Sequence, residues 1–93
     1  MPKYTVKPKI IDAEEVKDLL YNAKNNWKAL PEWVIQAYDR GDVMFGVRDI
    51  YVRTSSGSVI GKFDDWLLQG VAGELYPCQD HIFKMTYDLV EGR

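Results

Sequence analysis

Cysteine is nearly missing from this chain: Cys78 is the only one among 93 residues. An internal disulfide and a multi-cysteine zinc site are therefore excluded. Histidine is equally scarce, with His81 alone, so a histidine-rich metal cluster is excluded too. No apolar run approaches the ~20 residues that span a bilayer. The opening Met1-Pro2-Lys3-Tyr4 carries no apolar stretch of the kind a secretory leader needs, and a cytoplasmic location is the expectation. Neither charge sign dominates: 12 basic against 14 acidic side chains leave a net charge of -2. That balance is too even for a general DNA binder and too weakly acidic for a DNA mimic. No glycine-rich loop ending in Lys-Ser or Lys-Thr precedes a helix, because Gly70-Val71-Ala72-Gly73 lacks that ending.

Aromatic side chains, by contrast, are plentiful, at 13 % with Trp27, Trp33 and Trp66 among them. Bulky rings fill a small core efficiently, and they also concentrate at binding surfaces. A chain of this length and ordinary globular composition supports one domain over residues 1–93.

The pattern along the chain predicts an α+β fold, a small antiparallel sheet with two or three helices packed on it. Tyr4 to Ile11 reads as an edge strand, with Tyr4, Val6 and Ile10 inward, lysines outward and Pro8 unable to donate to a ladder. Asp12 reads as a helix N-cap, with Glu15 completing a capping box. Ala13, Val16, Leu19, Leu20, Ala23 and Trp27 follow at helical spacing until Asn25-Asn26 ends the helix. A second helix begins at Pro31 and stops at Gly41, with Trp33, Ala37 and Tyr38 on its apolar stripe. Period-two segments then predict strands at 43–47, 50–54, 58–63, 66–69 and 74–76, the last closed by Pro77. A third helix covers Asp80 to Tyr87, and the remainder is a short strand or tail. The element order is β-α-α-β-β-β-β-β-α.

Four kinds of chemistry are open to these residues. Cys78 and His81 have metal-ligand spacing but lack companions, and no metal or cofactor is expected. The same pair could make a nucleophile and base, although residues three apart across a strand-to-helix turn seldom align. Asp64-Asp65 and Glu74 could form an acid–base pair, while paired aspartates more often make a turn. Finally, Tyr51, Arg53, Lys62 and Trp66 lie in or beside the central strands. Alternation puts Tyr51 and Arg53 on one face and Ile50 and Val52 on the other. An aromatic beside an arginine can stack a base and pair a phosphate. These four are the candidate ligand-binding residues; no catalytic residue is assigned. The charge is uneven: residues 64–93 carry 2 basic and 6 acidic side chains, an acidic third suited to a basic partner.

The run Asp65-Trp66-Leu67-Leu68-Gln69-Gly70-Val71-Ala72-Gly73-Glu74-Leu75-Tyr76-Pro77-Cys78, followed by Ile82-Phe83 and Thr86-Tyr87, resembles a C-terminal signature of small bacteriophage and prophage proteins. Lys3-Tyr4 with Pro8 resembles that family's basic N-terminal strand. Two departures stand out: Asp64 replaces the family's usual glycine, and Gln79-Asp80-His81 replaces Lys-Pro-Asp ahead of Ile-Phe. The family is mostly of unknown function, so the resemblance implies a setting. In that setting a compact protein without catalytic groups is expected to bind a host component. The leading expectation is an inhibitor of a host defence effector, anti-CRISPR-like, acting by protein–protein contact. The alternatives are a sponge for a nucleotide immune signal and a small enzyme using Cys78 and His81 or the carboxylates. Homodimerisation through the Tyr4 edge or through exposed aromatics stays open, and no membrane association is expected.

Overall fold

The computed structural model describes residues 2–4 and 8–90. The chain runs β1 (Asp12–Glu15), α1 (Val16–Asn25), a 3-10 turn (Trp27–Ala29), α2 (Glu32–Arg40), β2 (Val43–Phe45), β3 (Asp49–Thr54), β4 (Gly57–Lys62), β5 (Trp66–Gln69), β6 (Leu75–Cys78) and α3 (Asp80–Thr86). This is an α+β fold, but its first strand is Asp12–Glu15 rather than the expected Tyr4 to Ile11, and two sheets stand where one was expected. The strands divide between two antiparallel sheets, β1-β5-β6 and β2-β3-β4. Among the described residues no helix is long and apolar enough to cross a membrane.

The entry to α1 corrects the sequence reading. Asp12–Glu15 do not cap a helix. They form β1, paired from Asp12↔Gln69 to Glu15↔Trp66, and Val16 N–H extends the ladder to the Asp65 carbonyl at 2.9 Å. Capping is a local option worth about 1 kcal/mol. A ladder that also seats Leu67 and Leu68, both fully buried, outweighs it. Ala13 is accordingly a strand residue. Residues 8–11 form no strand, and Tyr4 and Ile10 are exposed rather than inward; Val6 and Lys7 lie outside the described residues, as do residues 91–93 of the expected tail.

From Val16 onward the helical spacing holds, and Val16, Leu19 and Leu20 are buried. Helix α2 ends as expected at Gly41, whose φ of 81° is left-handed and unfavourable for residues with a Cβ. Alternation in β3 turns Ile50 and Val52 inward and leaves Tyr51 and Arg53 exposed. The inward residues join Val16, Leu19, Val34, Ala37, Val43, Leu67 and Leu75 in one core cluster, with Trp33 packed against it. Gly61, opposite Ile50, lets the sheets approach: a Cβ there would lie 3.0 Å from Ile50 and 3.3 Å from Pro77. Pro77 sits within β6, not after it, because β6 is an edge strand whose ladder survives one missing donor.

The other face of β5 carries Trp66 and Leu68, and α3 packs on Trp66. Phe83 stacks on Trp66 at 3.9 Å with 14° between the ring planes, and Tyr87 lies 5.4 Å from Phe83. The Trp66 indole N–H donates to Asp80 Oδ1 at 2.8 Å. That bond, with Lys84 alongside, holds the Asp80 carboxyl below its ordinary range. Helix α3 buries no residue completely, so its attachment rests on these contacts.

Candidate functional site

The second sheet has a covered face and an open one. Directly opposed residues in an antiparallel pair point to the same side. Met44 opposes Tyr51, which opposes Ile60, and all three are exposed. They form an apolar row across three strands. On one side of it Asp49 opposes Lys62; on the other Arg53 opposes Ser58. Tyr51 and Arg53 share one face, as the alternation of β3 implied, and the register with β4 adds Lys62 to it. Trp66 does not join them: it lies in the other sheet, stacked under α3.

Arg53 is committed within the fold. Its Nε lies 3.3 Å from Asp42 Oδ1. Its Nη2 donates to the carbonyls of Arg40 at 3.3 Å and Gly41 at 3.0 Å. The guanidinium thus closes the C-terminus of α2, where carbonyls lack helical partners and positive charge is favoured. Asp42 is shared with Arg40, whose Nε donates to Oδ2 at 2.9 Å. The adjoining depression of about 280 Å³ is lined by Gly41, Asp42, Met44, Tyr51, Arg53 and Ser58. It brings one basic group, already paired, to any ligand.

A second surface was not foreseen. Trp27 leaves the α1 stripe and enters the 3-10 turn. There its ring meets Tyr38 edge-on at 5.0 Å and Phe45 edge-on at 5.9 Å, while Tyr38 and Phe45 stack at 5.6 Å. Trp27 is 37 % and Tyr38 43 % exposed. With Leu20, Lys24, Met44 and Val47 they line an open hollow of about 530 Å³. The sequence held a signal: Asn25-Asn26 ends α1 before Trp27, and Tyr38 stands at the margin of the stripe set by Leu30, Val34 and Ala37.

The remaining candidates lie in or beside β5, β6 and α3. Burial, and then the charge of Asp65, pushes the Cys78 thiol up, away from the thiolate a nucleophile requires. Its S–H donates to the Gln79 carbonyl at 3.6 Å, and His81 is exposed on α3. Asp65 Oδ2 accepts the Lys62 backbone N–H at 2.9 Å, and Asp65 N–H donates to the Lys62 carbonyl at 2.9 Å. Glu74 Oε1 accepts the Ala72 N–H at 3.0 Å. These carboxylates stabilise turns. Among the described residues, no group of three or more His, Cys, Asp or Glu is placed to hold a metal ion. Comparison with family models, curated proteins and solved structures returns no match.

Proposed function

We propose that this chain is a non-enzymatic binding protein that acts by protein–protein contact, docking through the aromatic corner of Trp27 and Tyr38. One observation carries this reading: two aromatic rings of interface type stand half exposed, with Tyr38 stacked on Phe45 and Trp27 set edge-on to both. Trp and Tyr dominate interface energetics because they add much apolar area with few rotatable bonds. Rings already fixed by one another lose little entropy on docking. The depression beside Tyr51 holds a single basic group, Arg53, which speaks for a protein partner over a nucleotide. The phage resemblance supplies the partner class, a host defence effector inhibited by occlusion.

The test is affinity capture from bacterial lysate with the intact chain and with Trp27→Ala and Tyr38→Ala, followed by native mass spectrometry and an effector activity assay. The expected result is a captured protein, inhibited by the intact chain and lost with either variant. Retention of a nucleotide with no protein would overturn the reading, and so would equal capture by the variants.

A further inference from the structure

We infer that the open face of the second sheet is a self-association surface, on which two copies stack face to face about a two-fold axis running along the Met44–Tyr51–Ile60 row. This face is distinct from the aromatic corner, although Met44 borders both. The register sets this arrangement. The two ends of the face carry complementary charge in the same strand: Asp49 lies two residues before Tyr51 and Arg53 two residues after it. A two-fold axis along the row superposes each strand on its counterpart and reverses its direction. Asp49 then faces Arg53 of the second copy, twice, while Met44, Tyr51 and Ile60 each face themselves.

The competing axis, parallel to the strands, fails on charge. It would set Asp49 over Asp49 and Arg53 over Arg53, which like-charge repulsion disfavours. Arg53 Nε and Nη2 serve Asp42 and α2. The guanidinium's remaining donors are available to an opposing carboxylate. Asp49, Arg53 and Lys62, with Asp42 and its partner Arg40, leave the face a charge of only +1, whereas the whole chain carries -2. A weakly charged apolar face suits a copy of itself better than a strongly charged partner.

Size sets the strength. Three strands of up to six residues span roughly 14 by 20 Å at standard spacings, well below the ~800 Å² per partner of a tight complex. The dimer is therefore weak, and its population rises steeply with concentration, in the range of tens of micromolar to ~1 mM.

Sedimentation equilibrium on the full chain tests this. The intact protein should pass from monomer to dimer across that range. Ile60→Asp and, separately, Asp49→Arg should each weaken association at least ~10-fold, with circular dichroism unchanged because both side chains lie on the open face. Orientation is read with Ile60→Cys in a Cys78→Ser background. Two Ile60 positions meet across the axis, so mild oxidation should join two chains through one disulfide, as facing sheets permit. The reaction couples two thiols, loses two protons and passes two electrons to the added oxidant. A chain monomeric at ~1 mM would overturn the proposal. Undiminished association of Asp49→Arg, or an Ile60→Cys chain that associates but does not cross-link, would do the same. None of these readouts depends on a host partner, so failure here leaves the aromatic-corner reading standing.

Discussion

Phe83→Ala should release α3 while leaving the rest of the fold closed. The helix has seven residues, too few to persist alone in water. Phe83 is half-buried, and a large ring buries 150–250 Å² when fully covered, so about 100 Å² is at stake. At ~25 cal/mol/Å² that area contributes roughly 2–3 kcal/mol. The stack on Trp66 adds about 1 kcal/mol. Total docking energy lost is therefore about 3 kcal/mol, which converts to a factor of ~100 in the opening equilibrium. Native-state hydrogen exchange is the assay. Amides of Phe83 to Tyr87, which bond within α3 and its cap, should lose about two orders of magnitude of protection. Amides of Ile50 and Val52 in β3 should change far less, since neither contacts the docking face. Equal loss at both places would refute the reasoning, because it would make α3 part of one cooperative unit with the core.

Three further outcomes follow from the same geometry. Arg53→Ala removes the side-chain cap of α2 and leaves Asp42 with Arg40 alone; a loss of about 1–2 kcal/mol should appear as a lower thermal midpoint. Gly61→Ala forces a methyl against Ile50 and Pro77, and the overpacking should cost about 1–3 kcal/mol in urea unfolding. Glu14→Gln should raise stability at pH 7 by less than about 1 kcal/mol. Burial, followed by the charges of Asp18, Glu15 and Asp12, pushes the Glu14 carboxyl up, so the folded state holds that proton more tightly than the unfolded one. Its contribution is fully present below the ordinary glutamate range and is lost as pH rises through the folded value. The gain from Gln should therefore vanish in urea titrations below about pH 4.

Much of the fold was legible because it is locally encoded. Apolar spacing marked α1 from Val16, Pro31 and Gly41 bracketed α2, and alternation in β3 sorted Ile50 and Val52 from Tyr51 and Arg53. What failed was nonlocal. Asp12 to Glu15 satisfy a capping motif, and only the arrival of Gln69 to Trp66 makes them a strand. The close approach of the two sheets depends on Gly61 beside Pro77, a contact between elements that neither segment announces. At the candidate site, grouping Tyr51 with Arg53 needed only the period of two, whereas adding Lys62 needed the register of β3 with β4. The distance of Trp66 from that group, and the use of Arg53 as a cap for α2, needed the three-dimensional partner. Trp27 was misplaced because helical spacing continues past the residues that stop the helix.

The pairing of β1 with β5 also orders events during synthesis. Asp12 waits for Gln69, while β2, β3 and β4 are joined by short turns and are complete once Lys62 has emerged. Local hairpins close fast and long-range ladders slowly. A nascent chain should thus carry a finished second sheet and an unfinished first one. Until β1 returns, β5 offers an open edge beside Leu67 and Leu68, the kind of apolar strand that recruits neighbouring chains. The acidic side chains of Asp12, Glu14 and Glu15 then become the outer border of that sheet. The last strand to pair is the one whose charges make the finished edge poor at recruiting another.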